Sequence, residues 1–199
     1  MTDSTWNHNT HFHTLALALV TPQTTALDVG CGEGLLTREI AGAGARHVVG
    51  LDLDPDMVAT ARERADGTEG LEYRVGDVLT SLTGERFDLV TSFATLHHLD
   101  LGAGLRRLAE LTAPGGRLVV VGLARASGAA DLALAAATTV VDPIVKARRG
   151  YWEHPAPVAE PRETYADVES VAARALPGCR FRRRLYYRYS LEWRAPAAG

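Results

Sequence analysis

The segment Leu27-Asp-Val-Gly-Cys-Gly-Glu-Gly34 constrains this chain more than any other. A short apolar run stops at three alternating glycines, and helical spacing begins at Leu35. Glycine reaches backbone conformations closed to other residues, so this spacing marks a tight turn that a ligand approaches closely. A turn of this kind between a strand and a helix belongs to an open α/β sheet, where ligands bind beyond the carboxyl ends of the strands.

The rest of the chain agrees. Apolar runs at Ala26–Gly30, Arg46–Leu51, Leu71–Val75, Phe87–Phe93 and Arg117–Leu123 alternate with helix-like segments at Leu35–Ala43, Pro55–Ala65 and Leu105–Leu111. Strands this continuously apolar predict a mostly parallel sheet covered on both faces. After a further helix over Thr164–Leu176, the pattern over Arg180–Tyr189 and Ser190–Arg194 predicts two tightly joined antiparallel strands at the sheet edge. Between the fifth strand and that helix lie residues 126–162, too long a stretch for a plain connection and therefore read as a lid or substrate-facing insertion. The 199 residues are read as one domain, with residues 1–25 as an N-terminal cap.

The glycine turn fails the dinucleotide fingerprint. Counted from Gly30, the sixth position is Leu35; counted from Gly32, it is Thr37. Asp52, at the end of the second strand, is placed to accept hydrogen bonds from a ribose diol. Asp77, after the third strand in Val75-Gly-Asp-Val78, is placed to accept from an adenine amino group, or to form a turn after Gly76.

Taken together, LDVGCGEG (27–34), VVGLDLDPDMV (48–58), YRVGDV (73–78), FDLVTSFATLHHL (87–99) and LTAPGGRLVVVG (111–122) resemble the class I S-adenosylmethionine-dependent methyltransferases. The resemblance covers residues 27–123, in the family's order and spacing. It implies a Rossmann-like three-layer sandwich whose seven-stranded, mostly parallel sheet ends in an antiparallel hairpin. It also implies S-adenosylmethionine as cofactor, with Gly30, Cys31 and Gly32 around the methionine part. Asp52, with Leu53 beside it, would lie at the ribose, Asp77 and Val78 at the adenine, and Phe93 and Ala94 near the sulfur. Asp28 would steady the glycine loop.

Methyl transfer from a sulfonium requires nucleophile, methyl and sulfur in line, so positioning dominates. His97 and His98 follow the fourth strand on the binding edge and are the candidate catalytic pair, as base or hydrogen-bond donor. The alternative is that they merely open a helix. The N-terminal stretch Trp6-Asn-His-Asn-Thr-His-Phe-His13 is the segment that in related enzymes closes over the cofactor. His11 is its candidate cofactor contact, with His8 and His13 as rivals facing cofactor or substrate. Tyr151, Trp152 and His154 in the insertion are candidate substrate contacts. No metal site is expected, because no acid or cysteine cluster accompanies the histidines.

Charge bears on partners. Residues 1–99 carry 6 Arg against 14 acids, and residues 100–199 carry 15 cations against 10 acids. A net charge of −3 and the absence of a stacking motif point away from nucleic acid. The run Arg180, Arg182, Arg183, Arg184 and Arg188 is read as a solvated face. Two cysteines and no apolar span long enough for a bilayer suggest a reduced, cytoplasmic protein without a membrane partner. A small-molecule substrate is expected, and a monomer or homodimer.

Overall fold

In the computed structural model, residues 6–65, 67–149 and 161–198 are described. Seven strands form one sheet: β1 (Thr25–Val29), β2 (His47–Asp52), β3 (Leu71–Val75), β4 (Phe87–Phe93), β5 (Thr112–Leu123), β6 (Arg180–Arg184) and β7 (Arg188–Arg194). Their order is β3-β2-β1-β4-β5-β7-β6. The first five run parallel, and β7 pairs antiparallel with both β5 and β6. The order reverses beside β1, so a crevice opens at the carboxyl ends of β1 and β4.

Alternate residues of the central strands serve two cores. Leu27, Val29, Val49, Leu51, Val90, Leu118 and Val120 pack with α4 (Leu101–Leu111) and α6 (Tyr165–Ala175). Ala26, Val48, Leu89, Phe93, Val119 and Val121 pack with α2 (Leu35–Gly42) and the N-terminal Trp6, Phe12 and Ala16, the last from α1 (Thr14–Leu17). Burial on both faces is why these strands are apolar at nearly every position.

Short-range chemistry sets the helix starts. The Asp54 carboxylate accepts from Asp56 N and Met57 N at the start of α3 (Pro55–Arg64), with Pro55 in the first turn. Asp100 caps α4 by accepting from Ala103 N at 2.7 Å. Thr164 and Asp167 form a reciprocal capping box on α6.

Two expectations need correction. β5 begins at Thr112 rather than Arg117: Thr112 pairs with Phe87, and an irregularity containing Pro114-Gly115-Gly116 intervenes before Arg117 meets Leu89. The C-terminal hairpin turns at Tyr186–Tyr187, not at Tyr189–Ser190, because both tyrosines take left-handed φ values of 62° and 57°. No glycine or asparagine marks this turn, so its position was hidden. The long α5 (Ala129–Arg149) occupies the first part of the predicted insertion. No helix among the described residues is long and apolar enough to cross a membrane.

Candidate functional site

The turn after β1 is left-handed at Gly30, Gly32 and Gly34, with φ of 73°, 51° and 75°. Gly30 N and Cys31 N donate to Leu51 O at 2.8 and 3.1 Å, tying the loop to β2. A Cβ on Gly30 would lie 2.0 Å from Thr95 Oγ1. A Cβ on Gly34 would lie 2.3 Å from the Tyr73 hydroxyl, which donates to Gly34 O at 3.1 Å. Gly30 and Gly34 are therefore demanded by both backbone angle and space, and Gly32 by backbone angle. Burial pushes the Cys31 thiol up, so it stays protonated and is no nucleophile.

Asp52 braces this loop from the end of β2. Its Oδ2 accepts from Gly32 N at 2.7 Å and its Oδ1 from Asp54 N at 3.0 Å. Asp77 accepts from Leu79 N at 2.9 Å, and its carbonyl accepts from Thr80 N and Ser81 N. It thus makes a turn as well as facing the crevice. Gly76 N donates to Asp52 O, which fixes the two carboxylates as neighbours on one rim.

The opposite wall follows β4. Ala94 takes a left-handed φ of 53° while its N–H donates to Val121 O at 2.7 Å. A non-glycine residue held there is mildly strained, a feature common at ligand clefts. His97 and His98 sit on the next turn with ring centroids 4.1 Å apart. Burial, with added repulsion from His98 and Arg188, pushes the His97 imidazole down to about 4. It is neutral at pH 7, and its buried Nδ1 has no hydrogen-bond partner among the described residues.

These elements line a single cavity of about 630 Å³. Gly30, Cys31, Gly32, Asp52, Leu53, Asp77, Val78, Phe93, Ala94, His97 and His98 all border it. So do Asn7, His8, Asn9 and Arg188, which bring the N-terminal segment and β7 to its mouth. His8 Nε2 donates to Asp142 Oδ1 of α5 at 2.7 Å, and its ring stacks on Tyr186 with centroids 4.5 Å apart. Arg188 Nε and Nη2 donate to Asn9 Oδ1 at 3.1 and 3.0 Å, and Nη1 donates to Tyr186 O at 3.0 Å. Arg188 therefore leaves the solvated arginine face on which sequence spacing placed it. Once the turn is moved to Tyr186–Tyr187, Arg188 becomes the first residue of β7, beside Leu123 at the end of β5.

Other candidates lie elsewhere. Asp28 is 2% exposed and does not border the cavity; its oxygens accept from Thr37 Oγ1 and Thr91 Oγ1, both at 2.8 Å. It ties α2 and β4 to β1, with one hydroxyl on each carboxylate oxygen. Burial pushes its carboxyl up. His11 is exposed at the outer side of the N-terminal segment, with its ring against Phe12, Trp6 and Tyr186 rather than in the cavity. His13 is buried against Phe93 and pairs with Glu39 of α2 at 2.6 Å. Tyr151, Trp152 and His154 lie outside the described residues. Among the described residues, no group of three or more His, Cys, Asp or Glu is arranged to hold a metal ion.

The cavity suits an adenosyl cofactor on its own geometry. A left-handed glycine loop adjoins a strand-end carboxylate, and a second carboxylate stands one strand further along.

Comparisons with known proteins agree. A family model for the methyltransferase domain matches residues 27–120. An uncharacterised methyltransferase of Mycobacterium tuberculosis strain H37Rv is 35% identical over 201 residues, covering 98% of this chain and 99% of that protein. A ubiquinone biosynthesis O-methyltransferase of Rhodopseudomonas palustris is 39% identical over 101 residues, 50% of this chain and 39% of that protein. Among solved structures, magnesium protoporphyrin IX methyltransferase from Synechocystis with bound S-adenosylhomocysteine superposes with a TM-score of 0.64 at 22% identity, covering 94% of this chain and 83% of that one. A Pyrococcus horikoshii protein superposes with a TM-score of 0.66 at 19% identity, covering 98% and 94%. The superpositions establish a shared fold, and the full-length mycobacterial relative establishes the family. This chain belongs to the class I S-adenosylmethionine-dependent methyltransferases, with S-adenosylmethionine as its cofactor.

Proposed function

We propose that this protein methylates an O, N or C atom of a small-molecule acceptor bound between the His97–His98 ledge and the N-terminal segment. One observation carries this reading: the cavity that begins at the glycine loop continues without a break to His97, His98 and Arg188. Cofactor and acceptor would therefore share one cavity.

In this reading, Gly30, Cys31 and Gly32 hold the methionine part, Asp52 and Leu53 the ribose, and Asp77 and Val78 the adenine. Phe93 and Ala94 flank the sulfur. S-adenosylmethionine, when bound, supplies a methyl carbon already activated for displacement. The chain's own work is to align the acceptor and keep water out. Asn7, His8 and Asn9 close the mouth, held by Asp142 and Arg188. His97 offers a neutral imidazole to the acceptor, and a hydrogen bond there satisfies its buried nitrogen. A group that titrates near 4 is a poor proton acceptor at pH 7, so His97 positions more than it deprotonates. Both cysteines are free thiols, which fits a reducing, cytoplasmic setting. The cavity's size fits a small acceptor rather than a macromolecule.

The test is incubation with S-adenosylmethionine and a panel of small acids, phenols and amines, reading S-adenosylhomocysteine by mass spectrometry. Acceptor-dependent release is expected. Tight binding of S-adenosylhomocysteine with no release for any acceptor class would make the chain a cofactor-binding protein instead.

A further inference from the structure

We infer that the outward face of α5 is the contact between two copies of this chain, which pair antiparallel about Val140. The pairing does not depend on which acceptor is methylated.

α5 is turned the opposite way from an ordinary surface helix, which buries its apolar stripe and exposes its charges. Beside Val145, its inward side carries polar groups that are individually bonded. Asp131 Oδ1 accepts from Arg183 Nε at 2.7 Å, Thr138 Oγ1 from Tyr186 N at 3.0 Å, and Asp142 Oδ1 from His8 Nε2 at 2.7 Å. The outward side is apolar. Leu132, Ala136, Val140 and Ile144 recur at every fourth residue and all are exposed, the three bulky ones by 62%, 66% and 52%. Ala133, Ala137, Pro143 and Ala147 fill the spaces between them and are exposed too. None of the exposed residues from Leu132 to Ala147 is charged. The one hydroxyl among them, on Thr139, is turned back to donate to Ala135 O at 3.1 Å. A contiguous uncharged stripe of this kind marks a contact surface.

The stripe's own symmetry names its occupant. Half a turn about an axis through Val140 sets a second copy of the helix antiparallel to the first, in a closed, self-complementary contact. Ala136 then meets Ile144 of the partner subunit, Ala137 meets the partner's Pro143, and Val140 meets the partner's Val140. Each bulky side chain faces a small one or its own equivalent, and the alanines let the two axes approach closely. Leu132 lies against the aliphatic stem of the partner's Arg148.

The charges obey the same symmetry. Arg148 is an exposed cation at one end of the stripe. At the other end stand Asp131 and Glu169, both paired with Arg183, so two acids face one cation there. Antiparallel pairing brings opposite net charge together at both ends, whereas a parallel pair would bring like to like. A bilayer fits this face less well. An interfacial helix keeps a charged side in water and sinks bulky residues into lipid. The polar side of α5 is already bonded into the protein, and four of the eight stripe residues are alanine. Pairing would also brace the helix whose Asp142 holds His8 at the cavity mouth.

Light scattering on the full chain in the micromolar range tests the contact. The parent protein should be a dimer and Val140→Glu a monomer, because pairing would bury two unpaired carboxylates on the axis. S-adenosylhomocysteine affinity should be unchanged in the variant, which also reports folding. Cysteine cross-linking tests the register. Mild oxidation of Val140→Cys should give a covalent dimer well above the parent's background, since this position meets its own copy, and Leu132→Cys should not. A parent protein that is monomeric throughout overturns the proposal. If that monomer binds phosphatidylglycerol–phosphatidylcholine vesicles and Val140→Glu does not, the face belongs to a bilayer instead. A dimer that survives Val140→Glu, or that cross-links as readily through Leu132→Cys, overturns this interface.

Discussion

The two ends of the cavity are built in opposite ways. The cofactor end consists of strand-end residues held by neighbouring backbone: Gly32 on Asp52, Gly30 and Cys31 on Leu51, Gly76 on Asp52. The acceptor end joins partners far apart in sequence, with Asn9 bound to Arg188 and His8 to Asp142. The first end is fixed by hydrogen bonds to neighbouring backbone. The second depends on a short N-terminal segment, a strained hairpin turn and α5 meeting over the mouth. An enzyme built this way keeps its methyl donor constant and changes its acceptor by altering side chains at the mouth.

The largest expected effect breaks the cofactor end alone. Gly30→Ala forces a Cβ into Thr95 at a left-handed φ, and should cost about 3 kcal/mol of stability, by strain and overlap together. Urea unfolding checks it, and S-adenosylhomocysteine binding should fall with it. The next effect arises at the seam between the ends. Because the His97 imidazole is depressed from its ordinary 6.5 to about 4, the unfolded chain binds more protons between those pH values. Stability should therefore fall as pH drops through that window, by about 2 kcal/mol at pH 5 from this residue. His97→Asn should flatten the decline, leaving the smaller share due to His8.

Two further changes sharpen the acceptor end. Asn9→Ala removes two of the hydrogen bonds that join the N-terminal segment to Arg188 at the cavity mouth, and should raise the acceptor KM roughly tenfold, about 1.4 kcal/mol, without altering cofactor affinity. Tyr187→Gly relieves a left-handed residue that is 48% exposed, and should raise thermal stability by about 0.5–1 kcal/mol.

The same contrast governs what could be read before the fold was seen. The places of the glycine loop, Asp52 and Asp77 on the cavity rim were legible because each stands within a few residues of a strand end, where residue type and backbone demand coincide. The parallel central sheet followed from strands apolar on both faces, and the count of seven strands from the family resemblance. Asp28 was given to the glycine loop by the family resemblance alone, whereas in the fold Thr37 and Thr91 donate to its two oxygens. His11 and His13 could not be sorted by spacing, since tertiary partners such as Glu39 and Phe93 decide where each ring goes. Arg188 was missed because a turn made of two tyrosines carries no turn signal, and a misplaced turn changes which residue reaches the mouth.

In the proposed reading, Asp52 stands at the cofactor end of the cavity and Arg188 at the opposite rim. Calorimetric titration of S-adenosylhomocysteine into the Asp52→Ala and Arg188→Gln proteins tests it directly. Asp52→Ala should weaken binding by about 1–3 kcal/mol, from ribose hydroxyls and a loop amide left unpaired, while Arg188→Gln stays within threefold of the parent protein. Unchanged affinity in Asp52→Ala, or a loss confined to Arg188→Gln, would contradict the account.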